Sequence, residues 1–144
     1  MYEMFFFSDF TGDISYWDVS NVKNMIGMFG FSKFNNDISR WNTSSVNNLS
    51  YMFRCAVFNH DISRWDVSNV KYMAYMFSGI DCMNPFNQDI SRWNVSNVID
   101  MHNMFENSQF NQDISEWDTS NVTFYNDMFN NCAIKKQYMP KGIV

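Results

Sequence analysis

Glycine and proline are scarce in this chain of 144 residues, five and two respectively, and only 17% of its residues are charged. So few glycines argue against the glycine-rich coils that bind calcium. No phosphate-cradling glycine loop and no G-x-S-x-G nucleophile turn occurs. The three cysteines, Cys55, Cys82 and Cys132, are odd in number and form no C-x-x-C pair. Neither a zinc cluster nor a closed disulfide framework is therefore indicated, and free thiols are expected. Wholly apolar runs extend only a few residues, as at Met4 to Phe7, well short of the roughly 20 that span a bilayer. No leader with a basic start, an apolar middle and a small-residue cleavage site is read in the chain. Ten Lys and Arg stand against 15 Asp and Glu, a net charge of −5, which argues against sequence-independent binding to nucleic acid or anionic lipid.

What the chain does have is apolar mass and periodicity. At 46% hydrophobic and 19% aromatic it can build a core, and intrinsic disorder is excluded. The five tryptophans stand at Trp17, Trp41, Trp65, Trp93 and Trp117, at spacings of 24, 24, 28 and 24. In the same register come Phe10, Phe34, Phe58, Phe86 and Phe110, then Asp-Ile-Ser, then a valine five residues after each tryptophan, then a Met-Phe pair. The unit reads F-N-x-D-I-S-x-W-[DN]-[VT]-S-[NS]-V-x-x-[ML]-x-x-M-F. The one interval of 28 comes from four extra residues between Phe77 and Phe86, an insertion expected to form a loop.

Identical side chains at one register fit stacked repeats rather than an ordinary core. Trp17 and Val19 flank the polar Asp18, as a half-buried strand requires. Val22, Met25, Met28 and Phe29 then follow at i, i+3, i+6 and i+7, which suits one face of a helix, with Ser20 and Asn21 as capping residues. The expectation is an α/β repeat, a leucine-rich-repeat-like right-handed solenoid of about five 24-residue coils, each a short parallel strand plus a helical turn. Residues 1–9 would be a partial coil, 10–134 five repeats and 135–144 a C-terminal cap or tail of a single domain. The tryptophans and methionines are expected as core, and the aspartate of Asp-Ile-Ser as a turn former that accepts backbone hydrogen bonds.

The phrase Phe-Asn-Gln-Asp-Ile-Ser-Arg-Trp-Asn-Val-Ser-Asn-Val at residues 86–98 resembles the repeat of the BspA-like surface-protein family, known also from mycoplasma lipoproteins and abundant in giant viruses and protists. The resemblance covers about residues 1–134. It implies a leucine-rich-repeat-like fold, no enzymatic activity and, in bacteria, adhesion to host proteins. It also implies placement at a cell surface or in a virion. No functional residue of the family transfers to a particular position here.

Two sets of residues are candidates for binding protein. Tyr16, Arg40, Arg64, Arg92 and Glu116 should form one outward column on the strand face, and Asp18, Asn42, Asp66, Asn94 and Asp118 the adjacent one. Three aligned guanidiniums suit bidentate contacts to carboxylates. Met1, Met4, Phe5 and Phe7 form an apolar first coil, too apolar to act as a polar cap, and are candidate assembly contacts with neighbouring subunits. His60 and His102 fall at different positions in their units with no nucleophile repeated beside them, and no catalytic, cofactor or metal site is read. Four N-x-S/T sequons, at Asn42, Asn48, Asn94 and Asn121, arise from the repeat alphabet and matter only on a secretory route. The functional expectation is a non-catalytic scaffold for protein–protein interaction, an adhesin- or adaptor-like module. The alternative is a structural subunit, such as a minor capsid component of a giant-virus particle, motivated by the apolar first coil, the absence of a leader and an Asn-, Phe- and Lys-bearing composition typical of AT-rich coding sequence.

Overall fold

The computed structural model describes residues 1–80 and 82–143. Asp81, inside the expected insertion, and Val144, at the end of the expected C-terminal cap, lie outside the described residues.

Each unit is a succession of β-turns. In the first full unit Trp17 N–H donates to Ile14 O, Val22 to Val19, Met28 to Met25, Gly30 to Gly27 and Ser32 to Phe29, at 2.9 to 3.2 Å. Aspartate side chains set the early turns. The Oδ1 of Asp13 accepts the Ser15 N–H at 2.9 Å, and Asp37, Asp61, Asp89 and Asp113 do the same for the serine two residues on. The aspartates of Asp-Ile-Ser are thus turn formers, as expected from the residue type.

Between those turns the backbone reaches across to the next unit. Met25, Gly27, Phe29 and Phe31 donate to the oxygens of Asn48, Ser50, Met52 and Arg54 at 2.7 to 3.0 Å. Leu49, Tyr51, Phe53 and Cys55 donate in turn to Tyr72, Ala74, Met76 and Ser78. Odd-numbered amides therefore bond forward by one unit, while Met28, Gly30, Met52 and Arg54 bond back by three residues and Ile26 and Ser50 bond to the Oδ1 of Asn24 and Asn48. No amide in the segment is left for the i→i−4 bond of an α-helix. Left-handed residues at Gly27, Phe31, Tyr51, Cys55 and Tyr75, with φ between 50° and 61°, also interrupt any right-handed helix.

The expected α/β solenoid with a leucine-rich-repeat-like strand and helical turn is thereby overturned. Among the described residues the one helix is a 3-10 turn at Lys136–Tyr138. Parallel pairing is confined to isolated bridges, Asn24 to Asn48, Asn48 to Tyr72, Tyr72 to Asp100, Asp100 to Phe124, and Asn84 to Ser108. No sheet forms among the described residues, and in place of the expected strand at Trp17–Val19, Trp17 closes the turn from Ile14 and Val19 opens the turn to Val22. The pattern i, i+3, i+6, i+7 misled because successive three-residue turns bring the same positions to one side as a helix does. Asn, Ser, Gly and aromatic residues, which weaken a helix, decide between the two.

The apolar positions do converge inward. Phe5, Phe29, Phe53, Phe77, Phe105 and Phe129 form a column with centroids 5.6 to 5.8 Å apart. Phe10, Phe34, Phe58, Phe86 and Phe110 form a second at 6.3 to 6.4 Å. These are offset-stacked separations. Trp41, Trp65, Trp93 and Trp117 are buried, as are Met25, Met28, Met52, Met73, Met76, Met101, Met104 and Met128. Each of those tryptophans donates its indole Nε1–H to the isoleucine oxygen of the preceding unit at 3.1 to 3.2 Å.

The cysteine expectation is corrected as well. Cys55 and Cys82 are joined as a disulfide, with Cα atoms 5.9 Å apart, and Cys132 is a free thiol. Their separation of 27 residues follows from the insertion, which carries Cys82 back over the preceding unit. Spacing alone gives no sign of that return. In the same insertion the buried Asn84 donates from Nδ2 to Phe53 O at 2.8 Å and accepts the Phe86 N–H at 3.1 Å. No helix among the described residues is long and apolar enough to cross a membrane.

Candidate protein-interaction surface

The two expected polar columns sit on turns rather than on a strand face. Tyr16, Arg40, Arg64, Arg92 and Glu116 each hold the third position of the turn that begins at the isoleucine of Asp-Ile-Ser and closes at tryptophan, and all five are exposed. The ion pairs among the described residues are Lys33 with Asp9, His102 with Asp100 and, at 4.0 Å between two exposed side chains, Lys141 with Glu116. None involves Arg40, Arg64 or Arg92. These arginines lie near acidic groups nonetheless: Arg40 borders a cleft of about 470 Å³ with Asp13 and Asp37, and Arg92 one of about 320 Å³ with Asp61 and Asp89.

The adjacent column is occupied with its own backbone. Asp18 Oδ1 accepts both the N–H and the hydroxyl of Ser20, at 3.0 and 2.6 Å, and Asp66 does the same with Ser68. Asn42 and Asn94 make the same pair of bonds with Ser44 and Ser96 through a neutral oxygen. Asp118 accepts the Ser120 N–H at 3.1 Å. The serine hydroxyl, then the serine amide, holds the carboxyls of Asp18, Asp66 and Asp118 below the usual aspartate range. One carboxylate oxygen is therefore committed to shaping the turn.

The first segment divides by side chain. Met1 and Phe5 are half-buried and pack against the core, and the Met1 ammonium donates to Asn24 O at 3.0 Å. Met4 and Phe7 are exposed, Phe7 at 69%, and Tyr2 is exposed beside them. The two histidines have local partners, His60 Nε2 with Asn35 O at 2.8 Å and His102 Nδ1 with Asp100 Oδ1 at 2.6 Å.

A further cluster stands out that position-by-position reading of the repeat misses. The guanidinium carbon of Arg54 lies 5.3 Å from the ring centre of Phe31, 5.4 Å from Tyr75 and 5.7 Å from Tyr51. Tyr51 and Tyr75 stack at 4.8 Å, Phe7 stacks on Phe31 at 4.5 Å, and Phe6 meets Phe31 edge-on at 5.6 Å. Arg54 is half-buried, its Nε is fully enclosed, and no side-chain or backbone acceptor among the described residues meets it. Burial pushes the Tyr51 phenol up, assisted by Tyr75 and Asp100 and opposed by Arg54. The cluster sits at variable positions of the unit: Tyr51 and Tyr75 hold the register of Gly27, Asn103 and Asp127 in other units, and Arg54 that of Gly30, Ser78, Glu106 and Asn130. A tyrosine followed three residues later by an arginine, both at variable positions of the unit, was the available signal.

Residues 1–85 and 81–140 match a family model described as Mycoplasma protein of unknown function, DUF285. Neither a curated protein nor a solved structure matches the chain.

Proposed function

Since the chain belongs to that family of mycoplasma proteins of unknown function, and since it carries an arginine set among half-buried aromatic rings, we propose that it is a non-catalytic protein-interaction module. The observation that carries the proposal is the Arg54 cluster. Arginine and tyrosine are the side chains that most often dominate binding energy at protein interfaces. A guanidinium already oriented by rings loses little freedom on meeting a carboxylate, and its planar fork suits that partner. Phe7, exposed at the margin of the cluster, adds apolar area that a partner can cover. The partner that fits is a protein presenting an acidic side chain beside apolar ones.

The likeness of the F-N-x-D-I-S-x-W phrase to the BspA-like repeat supports a surface-exposed, adhesin- or adaptor-like setting for this module. The exposed Arg40, Arg64 and Arg92 column is the second docking face to compare. The test is binding of immobilised acidic-aromatic peptides and extracellular proteins to the parent chain, to Arg54→Ala and to the triple variant Arg40→Ala/Arg64→Ala/Arg92→Ala. The expected result is a loss of about tenfold or more in affinity with Arg54→Ala, equivalent to about 1.4 kcal/mol, and little change with the triple variant. The opposite ranking would move docking to the turn face, and parent-like binding by both variants would sink the proposal.

A further inference from the structure

Two buried polar groups at the Arg54 cluster have nothing to bond. The Nε of Arg54 is enclosed without an acceptor, and the Oγ of Ser78, a fully buried residue, meets no partner among the described residues. They belong to one place in the structure. Ser78 holds the register of Arg54 one unit on, and its backbone oxygen accepts the N–H of Cys55, the residue after Arg54, at 2.8 Å. An unmade hydrogen bond on a buried group destabilises a fold, and a glycine at this register, as at Gly30, would carry no such side-chain group.

The insertion closes over this place. Gly79, next to Ser78, accepts the Cys82 N–H at 2.9 Å, and Cys82 is bonded through sulfur to Cys55. Ser78 therefore lies in a closed ring of links that runs from Cys55 to Ser78, Gly79, Cys82 and back to Cys55. The guanidinium of Arg54 leans the same way, since its carbon is 5.3 Å from Phe31, which holds the Cys55 register one unit earlier. Cys82 is exposed and Cys55 half-buried, so a reductant meets the bond from the Cys82 side. Beyond Cys82 the chain is anchored independently by the buried Asn84. Its Nδ2 donates to Phe53 O at 2.8 Å, its N–H donates to Asn107 O at 3.2 Å, and its oxygen accepts the Gln109 N–H at 2.9 Å. Breaking the sulfur bond thus frees the turn closed by Cys82 without freeing the units on either side.

We propose that the Cys55–Cys82 bond is a reducible clasp on the Arg54 site, and that opening it adds the Arg54 Nε–H and the Ser78 hydroxyl to the donors that receive a partner's carboxylate. The inference rests on Arg54 as the docking residue and adds the regulation of that site. A thiolate of a dithiol reductant attacks the exposed Cys82 sulfur. The S–S bond breaks, and Cys55 leaves as a thiolate and takes up a proton. The second thiol of the reductant then displaces Cys82, so that two S–H bonds replace one S–S bond and the reductant is oxidised to its own disulfide. A carboxylate takes two parallel hydrogen bonds from one edge of a guanidinium, and the edge that includes Nε is closed in the oxidised chain. Docking is therefore weaker with the clasp shut and stronger with it open.

The test is titration of an immobilised peptide of alternating glutamate and phenylalanine with the full chain, with and without dithiothreitol, and circular dichroism in both states. Affinity should rise about tenfold or more on reduction, the scale of added hydrogen bonds to a charged group. Cys55→Ser/Cys82→Ser should bind at the reduced level in both conditions. Ser78→Ala should match the parent when oxidised and gain less on reduction. Arg54→Ala separates the two readings: parent-like binding by this variant, or no binding by the parent in either state, sinks the docking residue itself. Loss of binding with Arg54→Ala but no response of the parent to reductant sinks the clasp alone. Weaker binding after reduction, a full gain in Ser78→Ala, or a reduced chain that loses its native spectrum would also overturn the proposal.

Discussion

The indole Nε1–H of Trp65 donates to the backbone oxygen of Ile38, 27 residues earlier, at 3.1 Å and wholly out of water. The bond does what a sheet would otherwise do on this side of the molecule, since it ties one unit to the one before it where the backbones make only local turns. Trp41, Trp93 and Trp117 repeat it onto Ile14, Ile62 and Ile90.

Trp65→Phe should therefore cost more than its lost area. It removes one of the two donors to the Ile38 oxygen, which keeps the Trp41 N–H at 3.2 Å, a loss of about 0.5–1.5 kcal/mol, in addition to the cavity left by the smaller ring. Trp17 is only half-buried, and Trp17→Phe should cost clearly less. Urea midpoints for the two variants would decide it; equal losses would mean that the indole hydrogen bond contributes nothing specific.

Gly79→Ala should be among the most damaging single changes in the chain. A Cβ at this position would run into the backbone of Cys82, Asn107 and Asn84, and backbone cannot rotate aside as a side chain can. A loss of about 3 kcal/mol or more is expected from so severe an overlap. Gly142→Ala is the comparison: its φ of 95° strains an alanine, but nothing lies within 4 Å of the new methyl. Its cost should stay near the 1–2 kcal/mol of a left-handed residue. Thermal melts of both variants provide the check.

Acid should weaken the fold through its turn-forming aspartates. Serine hydrogen bonds hold the carboxyls of Asp13, Asp18, Asp37, Asp66, Asp89, Asp113 and Asp118 below the usual range. A depressed folded-state pKa means stability that is fully present above the unfolded value of about 3.9 and lost as pH falls through the folded value. The melting temperature should thus be insensitive to these groups near neutrality and decline below about pH 4. The triple variant Asp18→Asn/Asp66→Asn/Asp118→Asn should match the parent at pH 7, since Asn42 and Asn94 already make the same turn bonds. It should also lose less than the parent at acid pH. A triple variant destabilised at pH 7 would refute this account.

Thiol titration should find one reactive group in the native chain and three after unfolding with reductant, because Cys55 and Cys82 are bonded and Cys132 is free. Burial pushes the Cys132 thiol up, partly opposed by Ser108, so its reaction should be slow below pH 9. Closing a loop of 27 residues stabilises by about 3–4 kcal/mol on the chain-entropy account. Reductant should lower the melting temperature of the parent and leave Cys55→Ser/Cys82→Ser unchanged. Three reactive thiols in the native oxidised protein would sink the pairing.

Much of the molecule was legible in advance at the level of single positions. Every phenylalanine of the Phe29 and Phe34 columns, the tryptophans and the aspartate turns could be read from residue type and spacing. The secondary structure could not. Val22, Met25, Met28 and Phe29 lie on one side of a helix and equally on one side of consecutive turns, so the apolar pattern could not separate them. The Arg54 cluster escaped for a related reason: it is built from Phe31, Tyr51, Arg54 and Tyr75, which hold variable positions in three successive units and meet only when those units stack.

The sequence by itself determined which residues face inward and how far apart equivalent ones stand, because burial of an aromatic or aliphatic side chain is fixed by its chemistry and repeated by the period. Tertiary structure alone decided where each backbone amide finds its acceptor. An amide can bond within its own segment or across to the next unit, and that choice depends on a neighbour 24 residues away that no local propensity describes. With forward bonds taken by Met25, Gly27, Phe29 and Phe31, the helix is excluded. The same choice brings Cys55 to Cys82 and sets Arg54 among its rings.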